Sequence, residues 1–155
     1  MHDSVMEWVA AQVERFRLAD ADVLEVGSYD VNGTVRPLFT GRYLGVDLQP
    51  GPGVDLLVTD DLYDSPRFDV IVSTEMLEHD ARPWVTLQDW HRALRPGGCV
   101  LITARGFEYG PHDYPADYWR FSEPSMRLLL KDAGFAHIET APDPQASGVF
   151  ASAWK

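Results

Sequence analysis

Short apolar runs and segments with helical spacing alternate along the chain. Seven apolar runs are bounded by turn-forming residues, and most lack the polar alternation of a half-exposed strand, which is typical of strands buried on both faces. The last two are separated by a connection short enough for an antiparallel pair. The sequence therefore predicts seven strands, within the segments DVLEVGS, YLGVD, VDLLVT, FDVIVSTE, CVLITA, AHIET and VFASAWK.

Apolar residues recur at helical spacing between these runs. Residues 1–18 predict an amphipathic helix packing on the core, and Ser4 with Glu7 has the form of a capping box. Pro96, followed by two glycines, predicts a firm stop before the fifth strand. Three further helices are expected to begin at capping side chains: Thr34, Asp80 and Ser122.

Strands that alternate with helices predict an α/β fold built on an open, wound sheet. We expect a mostly parallel seven-stranded sheet with one antiparallel strand and helices on both faces. With 155 residues, the chain is expected to form one domain, 1–155. Ligands of such sheets bind beyond the carboxyl ends of the strands, so candidate chemistry is sought there.

The amino-acid composition limits the kinds of partner and compartment that are expected for this chain. The net charge of −11 opposes binding to phosphate backbones and anionic lipid, so nucleic acid is disfavoured. The sequence shows no apolar stretch of membrane-spanning length and no leader pattern. The lone Cys99 lies in an apolar run and is expected to be a reduced core residue. These features predict a cytoplasmic protein without a membrane partner.

The turn after the first strand carries the first candidate site. Gly27 lets the backbone approach a ligand closely, but Tyr29 stands where a dinucleotide-binding fingerprint needs its second glycine. A nicotinamide cofactor is therefore disfavoured. Asp47 ends the second strand 20 positions after Gly27 (47 − 27), about where an acid holds the hydroxyls of an adenosine ribose.

Four segments together resemble a known family. VLEVGSYDVNG, YLGVDLQ, FDVIVSTEMLEH and ALRPGGCVLIT look like the successive motifs of class I S-adenosylmethionine-dependent methyltransferases, in order and at similar spacing. The resemblance runs from about Val23 to Gly134. It implies that family's Rossmann-like fold, S-adenosylmethionine as cofactor, and methyl transfer to an oxygen or nitrogen nucleophile of a small or medium-sized acceptor.

The resemblance also implies which residues hold the cofactor. Glu25 fits this reading because a carboxylate favours the cationic ammonium and sulfonium of the ligand. Tyr29 departs from the family's second glycine, with packing against the methionine tail as the alternative. The implied positions are Glu25, Gly27, Ser28 and Tyr29 at the methionine part, Asp47 at the ribose, Leu48 at the adenine, Asp60 or Asp61 at the adenine amino group, and Ser73, Thr74 and Glu75 beside the sulfonium.

The acceptor end of the site is expected after the fourth and fifth strands. His79 and His112 are candidate general bases, because imidazole titrates near neutral pH; each has a structural alternative as a helix-orienting or loop-bonding residue. The segment after the fifth strand, RGFEYGPHDYPADYWRFS, is rich in aromatic residues and is expected to be a loop. Its candidate acceptor contacts, for which packing within the loop is the alternative, are Tyr114, Tyr118, Trp119 and Arg120. No metal ion is expected, since no ligand pair has the spacing of a known site.

Three other interpretations remain open from the sequence. A non-catalytic methyltransferase-like binding or partner subunit would keep the fold without chemistry. A nicotinamide oxidoreductase requires the glycine that Tyr29 replaces, and a receiver-type signalling domain requires an acid pair after the first strand. A homodimer would be indicated if Trp84 or Trp154 proved to be exposed.

Overall fold

The computed structural model describes residues 2–112 and 116–155, apart from the side chain of Asp60. Within this part of the chain the strands are β1 Val23–Val26, β2 Tyr43–Asp47, β3 Leu56–Leu57, β4 Phe68–Thr74, β5 Leu94–Arg105, β6 Ala136–Pro142 and β7 Gly148–Trp154. The α-helices are α1 Asp3–Phe16, α2 Pro83–Ala93 and α3 Glu123–Asp132.

The strands of the described residues form one seven-stranded sheet in the order β3-β2-β1-β4-β5-β7-β6. Neighbours from β3 to β5 pair in parallel, whereas β7 is antiparallel to both β5 and β6. The predicted mostly parallel sheet with one antiparallel strand is confirmed. Because strand order reverses between β1 and β4, a crevice forms there at the carboxyl ends.

Helices cover both faces of the sheet, as predicted. Successive side chains of a strand point to opposite faces. Val23 of β1 therefore packs in one core with Val9 of α1. Leu24 packs in the other core with Leu87 of α2 and Leu130 of α3. Both faces of β1 and β4 are thus buried, which explains their continuous apolar runs.

Two predicted helix starts are wrong. α1 begins at Asp3 after His2, and neither residue of the Ser4–Glu7 pair caps it. Ser4 is buried and its backbone N–H donates to Gln145 Oε1 at 3.1 Å, a partner 141 positions away that a local pattern does not reveal. α2 begins at Pro83 rather than directly after Asp80, which instead follows the end of a 3₁₀ turn, Leu77–His79. Asp80 still accepts a bond from the Arg82 N–H at 2.8 Å.

Three other local predictions differ from the structure. Only two residues of VDLLVT pair, and Leu56 is 56% exposed because this strand lies at the sheet edge. The helix expected after Thr34 is a single 3₁₀ turn, Arg36–Leu38. β5 begins before Pro96, since Leu94 already pairs with Phe68. The Ser122 cap of α3 is confirmed, because its side chain accepts from the Ser125 N–H.

Among the described helices, none combines the length and apolar character that crossing a bilayer would require.

Candidate functional site

A cavity of about 1400 Å³ lies at the carboxyl ends of β1, β2 and β4. This is the crevice created by the reversal of strand order, where ligands of such sheets bind. The turn after β1 and the loop after β5 border it from opposite sides. It brings together most of the sequence-predicted site residues: Glu25, Gly27, Ser28, Tyr29, Asp47, Leu48, Thr74, Glu75, His79, His112 and Tyr118.

Several predicted site residues do not line this cavity. Ser73 is fully buried and its hydroxyl donates to the Val26 carbonyl at 2.8 Å, so it ties β4 to β1. Asp61 is exposed on the 3₁₀ turn Asp60–Tyr63. Trp119 packs edge-on against Trp84, with ring centroids 5.8 Å apart. Tyr114 and the side chain of Asp60 lie outside the described residues.

Gly27 shapes the turn after β1. Its φ of +81° lies in the left-handed region that favours glycine. A Cβ at this position would lie 2.6 Å from Met76 Cγ. The N–H groups of Gly27 and Ser28 both donate to the Val46 carbonyl, at 3.0 and 3.1 Å. The turn is therefore held tightly against β2 and Met76, in a form that other residues do not fit.

Asp47 connects the turns that follow β1 and β2. Its Oδ2 accepts a hydrogen bond from the Tyr29 N–H at 3.1 Å, and its Oδ1 accepts one from the Leu48 N–H at 2.7 Å. Each carboxylate oxygen has a second lone pair for a ligand hydroxyl. Leu48 is 72% exposed at the rim of the cavity and offers an apolar surface to a flat ring.

Glu25 is a buried acid at the base of the cavity. It is 4% exposed, and its Oε2 has no hydrogen-bond partner among the described residues. Burial raises the pKa of this carboxyl to about 7, and the nearby Tyr43 hydroxyl and Arg36 guanidinium offset only part of that effect. Arg36 itself is paired with Asp55. A carboxylate in this position favours the arrival of a cationic group.

Thr74 is the last residue of β4, and Glu75 follows it directly. Glu75 has a φ of +57° and its N–H donates to the Thr103 carbonyl at 2.9 Å. Its carboxylate is paired with the buried Arg105, which also contacts Asp143 at 3.4 Å and lies over the Tyr109 ring. The charge of Glu75 is therefore already compensated by the protein, unlike that of Glu25.

His79 and His112 stand together at the opposite end of the cavity. Their ring centroids are 4.7 Å apart in an edge-to-face arrangement. His79 Nδ1 lies 2.5 Å from the Ala116 carbonyl. Because a carbonyl only accepts, Nδ1 carries the proton, and Nε2 of the neutral ring keeps its lone pair. Burial, aided by His79, lowers the pKa of His112, so the His112 ring favours its neutral form.

Glu78 belongs to the segment EMLEHD, which together with His112 suggests metal ligands in the sequence but lacks the spacing of a known site. Its side chain is fully buried, and neither carboxylate oxygen has a hydrogen-bond partner among the described residues. Its Oε1 lies 3.7 Å from His112 Nε2. Burial raises the pKa of the carboxyl to about 7. Its position beside His79 in the sequence was the available signal, but only the 3₁₀ turn turns both side chains toward His112.

The loop after β5 is fastened over this turn. The N–H groups of Tyr118 and Trp119 donate to the Glu78 carbonyl, at 2.8 and 3.2 Å. Arg120 donates to the Tyr109 and Gly110 carbonyls at 3.0 and 2.9 Å and is paired with Asp117, whose pKa it holds well below the usual range. Arg120 is thus engaged within the loop, so an acceptor carboxylate would have to compete for it.

A family model described as a methyltransferase domain matches residues 2–140. The chain belongs to this methyltransferase family. The resemblance to class I S-adenosylmethionine-dependent enzymes, stated from the motifs, is thereby confirmed. A search of curated protein sequences gave no significant match.

Solved structures share the fold of this methyltransferase. It is similar to the 1,6-didemethyltoxoflavin-N1-methyltransferase of Burkholderia thailandensis, bound to 1,6-didemethyltoxoflavin and S-adenosylhomocysteine, at 23% identity over 97% of this chain and 78% of that chain, with a TM-score of 0.75. It is also similar to an S-adenosylmethionine-dependent methyltransferase of Mesorhizobium loti, at 16% identity over 97% and 98% of the two chains, with a TM-score of 0.66.

A third structure is a phosphoethanolamine N-methyltransferase of Haemonchus contortus in complex with phosphomonomethylethanolamine and S-adenosylhomocysteine. The identity is 18% over 96% of this chain and 53% of that chain, with a TM-score of 0.72. At these identities the likeness shows the fold alone.

S-adenosylmethionine is the cofactor of this class, and the residues present fit it. Glu25 is a buried acid with an unpartnered oxygen, suited to a cationic ligand. Gly27 holds the backbone of the turn close against Met76, in a left-handed conformation that leaves no room for a Cβ. Asp47 retains acceptor capacity for hydroxyl groups. The assignment of these residues to individual parts of the cofactor stays a prediction.

Proposed function

We propose that this chain is an active methyltransferase that transfers a methyl group from S-adenosylmethionine to an oxygen or nitrogen nucleophile of a small or medium-sized acceptor. The observation that supports this most is the continuity of the cavity. It joins the residues that fit the cofactor, Glu25, Gly27 and Asp47, to the His79–His112 pair at its other end.

The cofactor supplies a methyl group already activated by its sulfonium. The protein then has to hold the nucleophile in line with it and manage one proton, and alignment accounts for much of the rate. Thr74 ends β4 and Glu75 follows it directly. Both residues line the cavity, where the acceptor would approach. The exposed face of Tyr118 adds a surface for an apolar or aromatic acceptor.

His79 is placed to accept the proton of the nucleophile. The Ala116 carbonyl fixes the tautomer that leaves Nε2 unprotonated, and the ring lines the cavity. General base catalysis of this kind contributes about 10²- to 10⁴-fold in rate. We therefore expect His79→Ala to lower turnover by about that factor while S-adenosylhomocysteine binding changes little.

The test is a methyl-transfer assay with isotopically labelled S-adenosylmethionine and a panel of phenols, alcohols and amines. Wild type and His137→Ala should label the same acceptors equally, because His137 is exposed on β6 away from the cavity. Saturable S-adenosylhomocysteine binding without labelling of any acceptor would contradict catalysis and favour the non-catalytic partner subunit.

A further inference from the structure

Three metal-ligating side chains converge at the acceptor end of the cavity. One ligand atom from each of Glu78, His79 and His112 lies within 4.8 Å of the others. Tetrahedral ligands with bonds of about 2.1 Å are about 3.4 Å apart, so closure requires side-chain shifts of about 1 Å. The ligands come from two loops 33 positions apart (112 − 79), which is why the sequence shows no paired spacing and predicts no metal.

A bound ion would supply the charge partner that the buried carboxylate of this cluster lacks. Glu78 is fully buried, and no side chain among the described residues donates a hydrogen bond to its carboxylate. The backbone N–H groups of Glu78 and Arg105 offset only part of the effect of burial on its pKa. Burying a charge without a partner is costly, and such carboxylates in proteins are paired or coordinate metals. Arg120 is the nearby cation that would oppose an ion, and its charge is already neutralised by Asp117.

The hydrogen bond made by His79 matches that of a metal-ligating histidine. A ligating histidine usually donates its other N–H to a backbone carbonyl or a carboxylate, which fixes the ring. His79 Nδ1 donates to the Ala116 carbonyl. His112 has no such bond, since its Nδ1 lies 3.7 Å from Asp117 Oδ2, beyond hydrogen-bond distance, and its Nε2 lies 3.7 Å from Glu78 Oε1. The Ala116 carbonyl therefore fixes the tautomer of His79, and its Nε2 is the nitrogen left for an ion.

We propose that Glu78, His79 and His112 bind a divalent first-row transition-metal ion that holds the acceptor through an oxygen ligand. Two imidazoles favour ions such as Zn²⁺ or Co²⁺ over Mg²⁺ and Ca²⁺, which prefer oxygen. Three protein ligands leave positions open for a substrate, as in catalytic sites. The acceptor role rests on the proposed function, whereas ion binding does not.

The ion selects oxygen among the proposed nucleophiles. With His79 Nε2 bound to the ion, the ion replaces this ring as the group that activates the hydroxyl. A ligated hydroxyl loses its proton more readily, and its oxygen keeps further lone pairs for attack. An amine has a single lone pair, which ligation would occupy. The reaction balances as acceptor hydroxyl plus S-adenosylmethionine giving methyl ether, S-adenosylhomocysteine and a proton. The new bond joins oxygen to the methyl carbon as the carbon–sulfur bond breaks.

The test is titration of the chelator-treated full chain with Co²⁺, followed by visible absorption, and with Zn²⁺ and Mg²⁺ by calorimetry. We expect one saturable Co²⁺ and Zn²⁺ site, with Mg²⁺ at least tenfold weaker. Glu78→Gln and His112→Ala should each weaken Zn²⁺ binding by about 10- to 100-fold or more, and His137→Ala should not. Glu78→Gln preserves the buried volume, and His112→Ala alters a part-exposed loop position if the first variant fails to fold.

Absence of saturable binding, or equal binding by Glu78→Gln and His137→Ala, would overturn the inference. S-adenosylhomocysteine titrated into the same samples separates it from the proposed function. Binding of S-adenosylhomocysteine without metal binding would overturn the ion site and leave the proposed methyltransferase. Metal binding without S-adenosylhomocysteine binding would overturn the proposed function and the acceptor role of the ion.

Discussion

Glu25 shows how burial prepares one residue for a cationic ligand. In the ligand-free protein its pKa is about 7, above its ordinary value of 4.5, so the folded state holds a proton that the unfolded state has lost between these values. This group therefore lowers the free energy of unfolding as pH rises from about 4.5 to 7. A bound cationic group favours the ionised carboxylate of Glu25, so its binding releases the proton.

The expected result is a pH-dependent affinity for S-adenosylhomocysteine, which carries the ammonium group. Above about pH 7 Glu25 is ionised, and its contribution to affinity should be constant. Below that, binding must release its proton, so affinity should fall by up to about tenfold per pH unit. Calorimetry from pH 5.5 to 8 measures this.

Two carboxyl variants decide the cause of that pH dependence. Glu25→Gln should flatten the profile, whereas Glu139→Gln should not, because Glu139 is an exposed partner of Arg15 outside the cavity. A profile that keeps its slope in Glu25→Gln would assign the proton to another group.

At the scale of elements, the turn after β1 fixes the approach of the cofactor. Gly27→Ala combines a left-handed φ of +81° with a Cβ placed 2.6 Å from Met76 Cγ. Gly97 has the same φ of +81° and no atom within 4 Å of such a Cβ. Gly97→Ala therefore isolates the cost of backbone strain.

We expect Gly97→Ala to lower the free energy of unfolding by about 1 kcal/mol and Gly27→Ala by about 2–3 kcal/mol. For a chain of this length, each kcal/mol shifts the melting temperature by about 2–4 °C. Only Gly27→Ala should also weaken S-adenosylhomocysteine binding. Equal melting temperatures and affinities for the two variants would show that the turn is not held as described.

The elements also show what a sequence can predict. The buried central strands, the Ser122 cap and the sheet pattern follow from local apolar runs and turn chemistry, so they were predictable. The start of α1 was not predictable, because the backbone N–H of Ser4 donates a hydrogen bond to Gln145, near the other end of the chain. The edge strand β3 was overestimated, since an apolar run does not reveal which strand has a single neighbour.

Some residues of the candidate site could likewise be predicted from the sequence, and others could not. Glu25, Gly27 and Asp47 lie at strand ends and were found from motifs, because a parallel sheet brings its carboxyl ends together. Glu78 was set aside with the segment EMLEHD because its spacing fits no known metal site, whereas a 3₁₀ turn and the loop after β5 bring it to His112. Arg120 looks free in the sequence, yet folding commits it to Asp117 and two carbonyls.

At the scale of the whole molecule, the surface leaves the predicted homodimer untested. Trp84 is 43% exposed and packs on Trp119, whereas Trp154 is part-buried against Phe16 at 4.6 Å between ring centroids. Trp84 and its neighbour are therefore the tryptophans that a second subunit would reach first. The monomer itself already presents a continuous cavity between β2 and the loop after β5.

The central claim is that this cavity binds S-adenosylmethionine and its product. The most direct measurement is calorimetric titration of the wild-type chain with S-adenosylhomocysteine and, separately, NADH, repeated with Asp47→Ala and with the exposed Asp132→Ala as a matched control. A hydrogen bond to a charged group contributes about 1.5–3 kcal/mol, so losing Asp47 should weaken binding about 10- to 100-fold. We predict saturable nucleoside binding in wild type and Asp132→Ala, with no comparable affinity for NADH. Absence of S-adenosylhomocysteine binding at millimolar concentration, or affinity unchanged in Asp47→Ala, would contradict this account of the site.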